Sequence, residues 1–173
     1  MNEFEEYKIH IRCISNFISA CVQGLGYRNC TAYFGDTFSY DYVNDVITYS
    51  FDDPAHEDDL YFELCREYKP EIIQCDNFII SLLHEVGHCA TDPNWSLDEW
   101  FEYITFVKKF DETEPTDEDY MTYYKKDIEY TATKWACDFI VNNRDKVNEL
   151  INGLKLIAPS FYQWKDLIVC DKI

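Results

Sequence analysis

The segment from residue 77 to residue 90 reads NFIISLLHEVGHCA, and within it stands His84-Glu85-Val86-Gly87-His88. The apolar residues of this segment recur with helical spacing, so we predict a helix that ends before Asp92-Pro93. Residues four apart lie on the same face of a helix, one turn from each other. His84 and His88 therefore present two imidazoles side by side.

Two neutral imidazoles in this arrangement can bind one zinc ion at about 2.0–2.1 Å. Glu85 directly follows the first histidine, where it can accept a proton from a metal-bound water whose pKa the zinc lowers. The alternative is a helix with two hydrogen-bonded histidines and a surface glutamate. We favour Zn²⁺ because buried imidazoles need polar partners, and one metal ion serves both. Gly87 costs about 1 kcal/mol in a helix relative to Ala, which fits a position where another backbone passes close.

A third protein ligand is expected at a catalytic zinc site, and two candidates stand in the sequence. Asp92 is near, but its Cα would lie about 12 Å along the helix axis from that of His84. Glu129 flanks the apolar stripe of a later helix, where an unpaired carboxylate is costly and a metal ion would pair it. We predict that Glu129 is the ligand and keep Asp92 as the alternative.

The residues around this glutamate resemble a known segment. Glu129, Ala132 and Ala136 are similar to the Glu-x-x-Ala-Asp-x-x-Ala segment of the gluzincin metallopeptidases, with Trp135 beside them. Thr133 stands where many members of that group carry Asp, and Asp127 is a possible substitute for that carboxylate. The extended motif of the metzincins is not matched, because positions 91 and 94 are Thr and Asn.

The resemblance covers roughly residues 46 to 140 and is close to the minimal gluzincins and the ImmA/IrrE-like metallopeptidases. It implies a zincin-like fold, a zinc-dependent peptidase activity and Glu129 as the third ligand. It also implies that the strand before the motif helix, Ile47 to Phe51, binds the substrate as an added β-strand.

The chain as a whole is predicted to be a mainly helical α+β fold. Its 173 residues suggest a single metallopeptidase domain over 1–173, with a small β element preceding the motif helix. The predicted helices cover about 3–25, 55–68, 77–91, 97–107, 116–141, 143–157 and 160–169, and the predicted strands cover 30–34 and 46–51.

Charge and hydropathy exclude several classes of function. Thirty-three acidic residues against fifteen basic ones give a net charge of −18, which argues against phosphate-mediated nucleic-acid binding. The charge favours a basic partner or substrate segment, or serves solubility alone. No window approaches the roughly 20 apolar residues of a membrane span, and the acidic N-terminus is unlike a secretory signal. We therefore expect a cytoplasmic protein with no membrane partner.

The chain has eight cysteines, and none of them forms a Cys-x-x-Cys pair. A structural zinc ribbon or a redox motif is therefore not indicated. Without an export signal, we interpret the cysteines as reduced thiols that act as small core hydrophobes.

Several further residues were weighed for roles at the site. Tyr123, Tyr124 and Tyr130 are candidates for stabilising an oxyanion, against an ordinary packing role. His56 either lines the cleft or lies on the surface. The acidic segment 111–119 connects the two ligand helices and is either a solvated loop or a lid that selects basic substrates.

The sequence thus favours zinc-dependent hydrolysis of a peptide or protein substrate, with Glu85 as general base. One alternative is a catalytically inactive, zinc-stabilised binding module, although a purely structural site has no use for a base at Glu85. Another is an acidic decoy or inhibitor that imitates nucleic acid through its charge.

Overall fold

The computed structural model describes residues 3–27, 29–51, 58–72, 75–91 and 95–159, which form a mainly helical α+β structure. This confirms the class predicted from the sequence. The helices are α1 (Glu3–Gly24), α2 (Asp58–Tyr68), α3 (Asn77–Ala90), α4 (Leu97–Asp111), α5 (Asp117–Tyr124), α6 (Asp127–Asn142) and α7 (Arg144–Ile157), and the strands are β1 (Thr31–Phe34), β2 (Ser39–Asp41) and β3 (Val46–Tyr49). A 3-10 turn, Pro70–Ile72, follows α2.

The three strands form one sheet in the order β1-β3-β2, with β1 parallel and β2 antiparallel to β3. Ile47 pairs with Ala32 on one side and with Tyr40 on the other. Because both hydrogen-bonding edges of β3 are occupied, the expectation that Ile47 to Phe51 receives a substrate strand is wrong. Among the described residues, the outer edges of the sheet belong to β1 and β2.

Helix α3 forms the centre of the core. Its residues from Phe78 to His88 are all buried, and α6 packs closely along it. A Cβ atom added at Gly87 would lie 2.5 Å from the backbone oxygen of Ala132, so only glycine permits this approach. The close backbone predicted for Gly87 is therefore that of α6, and it brings Glu129 toward the motif.

Two features of the predicted secondary structure need correction. The single helix predicted over 116–141 is two helices, because Lys126 adopts an extended conformation (φ −60°, ψ 139°) between α5 and α6. Neither Gly nor Pro marks this break, and both helices keep apolar residues on the core side, so the periodicity runs through it. Strand β2 was missed because three residues are too few to show an alternating pattern.

Some predictions lie outside the described residues, namely those for Asp92, His56 and a helix over 160–169. No disulfide joins the seven described cysteines. Six of them pack in or against the core as predicted, whereas Cys13 is exposed on α1, so the prediction of a core thiol is wrong there. No helix among the described residues has the length and apolarity that crossing a bilayer requires.

Candidate metal centre

Three buried side chains converge where α3 and α6 meet. The Nε2 atoms of His84 and His88 are 3.0 Å apart, and Oε2 of Glu129 lies 3.1 Å and 3.4 Å from them, respectively. The one-turn spacing within α3 places the two imidazoles, and the Gly87–Ala132 contact places the carboxylate. Together these atoms could hold a metal ion.

The carboxylate of Glu129 is stabilised in its charged form. Burial alone raises its pKa, but the hydrogen bonds and charges of His84 and His88 outweigh burial and hold the pKa well below its usual range. The group therefore presents an anionic oxygen beside two imidazole nitrogens at neutral pH. Two nitrogen donors and one carboxylate oxygen form a ligand set that suits divalent transition metals.

A hydroxyl group contacts the outer atom of each of these three side chains. Thr133 Oγ1 lies 3.1 Å from Nδ1 of His84, and the Tyr42 hydroxyl lies 2.7 Å from Nδ1 of His88. The Tyr103 hydroxyl donates a hydrogen bond to Oε1 of Glu129 at 2.5 Å. Such outer partners fix the orientation of metal ligands. Here all three are uncharged.

Thr133 stands at the position where the sequence resemblance suggested that an aspartate could be expected. Its hydroxyl contacts Nδ1 of His84 and so holds the imidazole. Asp127, considered as a substitute carboxylate, is exposed at the first turn of α6. The outer partner of His84 is therefore the Thr133 hydroxyl and not the Asp127 carboxylate.

Glu85 is buried beside the same group, with 6% of its surface exposed. Burial raises its pKa to about 7, and nearby Glu129 adds to this, while His84 opposes it. A carboxyl group with a pKa near neutrality can both accept and release a proton under physiological conditions. Glu85 therefore places a carboxyl group that can exchange a proton at neutral pH beside the three donor atoms.

Of the three tyrosines proposed from the sequence, two reach the donor side chains through one other tyrosine. Tyr123 is half-buried and hydrogen-bonds Tyr103, which in turn contacts Glu129. Tyr124 packs at 5.3 Å against Tyr61, whose ring lies 5.4 Å from that of His84, and Tyr130 is 38% exposed. Sequence reasoning missed Tyr103, whose signal was its position three residues after Trp100 on the inner face of α4.

Two aromatic side chains, one from β2 and one from the residue after it, pack against His88. The Tyr40 ring lies nearly parallel to the imidazole at 6.4 Å, and Tyr42 meets it edge-on at 5.7 Å. Tyr42 also contacts Trp100 of α4 at 4.8 Å. Sequence reasoning missed Tyr42, because nothing local in the sequence distinguishes it among fourteen tyrosines. The end of the edge strand and α4 therefore meet next to the candidate metal centre.

No protein-family model, curated protein or solved structure matches the chain, so the geometry of the site is interpreted from the chain's own residues.

Proposed function

We propose that this protein is a zinc-dependent peptidase with a zincin-like fold of the gluzincin type. His84, His88 and Glu129 are the protein ligands, and Glu85 is the general base. The observation that carries the proposal is the convergence of the three donor atoms with a buried carboxyl group of near-neutral pKa beside them.

The spacing of the donor atoms fits zinc. In a tetrahedral site with bonds of about 2.0–2.1 Å, neighbouring ligand atoms lie about 3.3 Å apart. The separations among His84, His88 and Glu129 are 3.0, 3.1 and 3.4 Å. Three protein ligands also leave one tetrahedral position open, which is the arrangement of catalytic rather than structural zinc sites.

When bound, zinc supplies a Lewis acid that activates water and polarises the carbonyl of the scissile peptide. Glu85 takes the proton from the attacking water and delivers it to the leaving amide nitrogen, so the peptide bond is replaced by a carboxylic acid and an amine. Its burial keeps bulk water away from this transfer. Tyr42, Thr133 and Tyr103 hold the three ligand side chains in place during the reaction.

The open edge of β2 is the proposed position of the substrate backbone. An extended peptide can add to this edge through main-chain hydrogen bonds, as in other cases of strand addition. The strand ends at Asp41, directly before Tyr42, which contacts His88. A peptide paired with Ser39–Asp41 would therefore pass beside the metal centre. The net charge of −18 favours basic residues in that peptide.

The two rival functions are less well supported. An inactive, zinc-stabilised binding module gains nothing from Glu85, because burying a carboxyl group that no metal needs is costly. An acidic decoy of nucleic acid would use exposed carboxylates and would not require two histidines and a glutamate packed together inside the protein. Zinc content separates the peptidase from the decoy, and hydrolysis separates it from the binding module.

Replacing Glu85 with Gln tests the proposal. We expect Glu85→Gln to retain zinc and fold but to hydrolyse peptides at least a hundredfold more slowly, about 3 kcal/mol of barrier, because the amide keeps the shape and loses the base. New N-termini formed in a cell proteome incubated with the zinc-loaded protein provide the measurement.

Glu63→Gln is the matched control, because Glu63 is an exposed glutamate on α2, away from the ligands. It should cleave at the wild-type rate. Near-normal turnover by zinc-replete Glu85→Gln would show that Glu85 is not the base.

A further inference from the structure

Helix α4 carries two apolar faces, and only one of them contacts the rest of the described protein. The inner face is aromatic and half-buried: Trp100 contacts Tyr42, Tyr103 contacts Glu129, and Phe110 stacks on Tyr123 at 5.3 Å. These contacts tie the helix to the candidate metal centre and to α5. They account for one side of α4 and leave the other side unexplained.

The outer face consists of Leu97, Phe101 and Ile104, which are 87%, 72% and 58% exposed. Their spacing of four and three residues aligns them in one stripe about 10 Å long. Single exposed apolar residues are ordinary on a protein surface, whereas a contiguous apolar stripe indicates a surface that binds another molecule. No helix or strand of the described chain covers this stripe.

The charges beside the stripe indicate the chemistry of its partner. Asp98 and Glu102 are one turn apart on one side of the stripe; both are exposed, and neither forms an ion pair with a described Lys or Arg. Lys108 and Lys109 lie beyond Ile104 in the last turn of α4, and Lys108 pairs with Glu112 at 3.9 Å. The stripe is therefore apolar, and its border along Asp98 and Glu102 is acidic.

We propose that the Leu97–Phe101–Ile104 stripe is a docking surface for a basic amphipathic helix of another protein. The apolar side chains of the partner pack on the stripe, and its Lys or Arg side chains reach Asp98 and Glu102. Docking here places the partner next to the metal centre, because Tyr103 on the inner face of α4 touches Glu129. The proposal goes beyond the peptidase function and does not require that the docked protein be cleaved.

Charge disfavours the other occupants of this surface. If a second copy of the chain docked here, its acidic border would face that of the first copy. The two would repel each other, because each molecule has a net charge of −18. Residues 160–173 of this chain are not basic, since Lys165 and Lys172 are balanced by Asp166 and Asp171. A separate basic segment is the occupant whose charge complements the border.

The test uses a fluorescent synthetic 18-residue helix of leucine and lysine, with the leucines on one face, and the full zinc-loaded chain. We expect the double variant Phe101→Ser/Ile104→Ser to bind this peptide at least tenfold more weakly in fluorescence anisotropy. Asp98→Asn/Glu102→Gln should weaken binding severalfold and flatten its salt dependence, because counter-charges beside the stripe are lost.

Leu156→Ser is the matched control: Leu156 is 84% exposed, but it lies on α7, away from α4. It should bind the peptide like the wild type. Thermal melts check that each variant is folded. We expect that they are, because the substituted positions are exposed. The proposal would be overturned if the wild-type protein did not bind the peptide, or if the stripe variant bound it with the affinity of the wild type. So would equal binding of a peptide with glutamate in place of lysine, or wild-type dimers in sedimentation that dissociate in the stripe variant.

Discussion

Helices α3 and α4 have nearly the same length, 14 and 15 residues, and both are rich in apolar side chains. Helix α3 is buried from Phe78 to His88, whereas the outer face of α4 is bare. The difference lies at the contact point with a neighbouring helix. Gly87 lets the backbone of α6 approach, while α4 contacts its neighbours through aromatic side chains such as Trp100 and Phe110. Apolar side chains allow a helix to pack against the core. A small residue at the helix crossing, such as Gly87, allows the close contact that buries the helix fully.

Separating α3 from α6 should produce the largest effect. A methyl group at position 87 would meet the backbone of Ala132 at 2.5–3.0 Å, and backbone cannot rotate away as a side chain can. We expect Gly87→Ala to lower the free energy of unfolding by about 3 kcal/mol and to weaken metal binding, since Glu129 shifts with α6. Urea unfolding and chelator competition measure the two effects.

Gly24→Ala is the control for this variant, because a Cβ at Gly24, the last residue of α1, has no heavy atom within 4 Å. Its stability should change by less than about 1 kcal/mol. If Gly87→Ala were equally mild, the close contact between the ligand helices would not be the feature that distinguishes α3 from α4.

The buried carboxyl group of Glu85 on α3 should make the stability of the protein depend on pH. Its folded-state pKa of about 7 lies above the ordinary value of 4.5, so the metal-free folded protein binds more protons than the unfolded chain between these values. Stability from this group is present below pH 4.5 and is lost as pH rises toward 7. Between pH 4.5 and 7, the free energy of unfolding of metal-free Glu85→Gln should therefore rise by about 2 kcal/mol relative to that of the wild type, because only the wild type loses this stability.

Thermal melts in a chelator between pH 4.5 and 8 provide the measurement, with exposed Glu63→Gln as the reference. A difference between wild type and Glu85→Gln that stays constant with pH would contradict the raised pKa of Glu85.

The hydroxyl of Tyr42 should have a smaller effect, confined to the metal centre. It lies 2.7 Å from Nδ1 of His88, and its removal leaves that imidazole without the partner that orients it. We expect Tyr42→Phe to weaken zinc binding about tenfold, or about 1.4 kcal/mol, with little change in metal-free stability.

Tyr40→Phe is the matched control, since the Tyr40 ring also faces His88 but its hydroxyl bonds Asp45 at 2.7 Å. It should keep wild-type zinc affinity. Equal losses in the two variants would contradict a specific role of the Tyr42 hydroxyl in orienting His88.

Local patterns in the sequence were sufficient for the class of the fold and for the positions that carry the candidate site. The spacing of His84 and His88 lies within one helix, so their proximity follows from helix geometry alone. Glu129 was predictable because a carboxylate beside an apolar stripe needs a partner, and the structure places it against both histidines. Gly87 indicated that a backbone would pass close, which α6 does.

The features that escaped prediction depend on contacts between distant segments. Tyr42 and Tyr103 reach the site from a strand end and from α4, and no local pattern marks which tyrosines will do so. The order of the strands, which closes both edges of β3, depends on pairing across the sheet. The break at Lys126 could not be predicted, because the residues there include no Gly or Pro that would end a helix.

The most direct test of the zinc site is the zinc content and zinc affinity of the purified protein, measured by elemental analysis and chelator competition. We expect about one zinc per chain, and at least tenfold weaker binding in His84→Ala and in Glu129→Ala. Asp127→Ala, which removes an exposed carboxylate from the same turn of α6, should bind like the wild type. Full zinc occupancy in both ligand variants, or no zinc bound by the wild-type protein, would contradict the proposed zinc site.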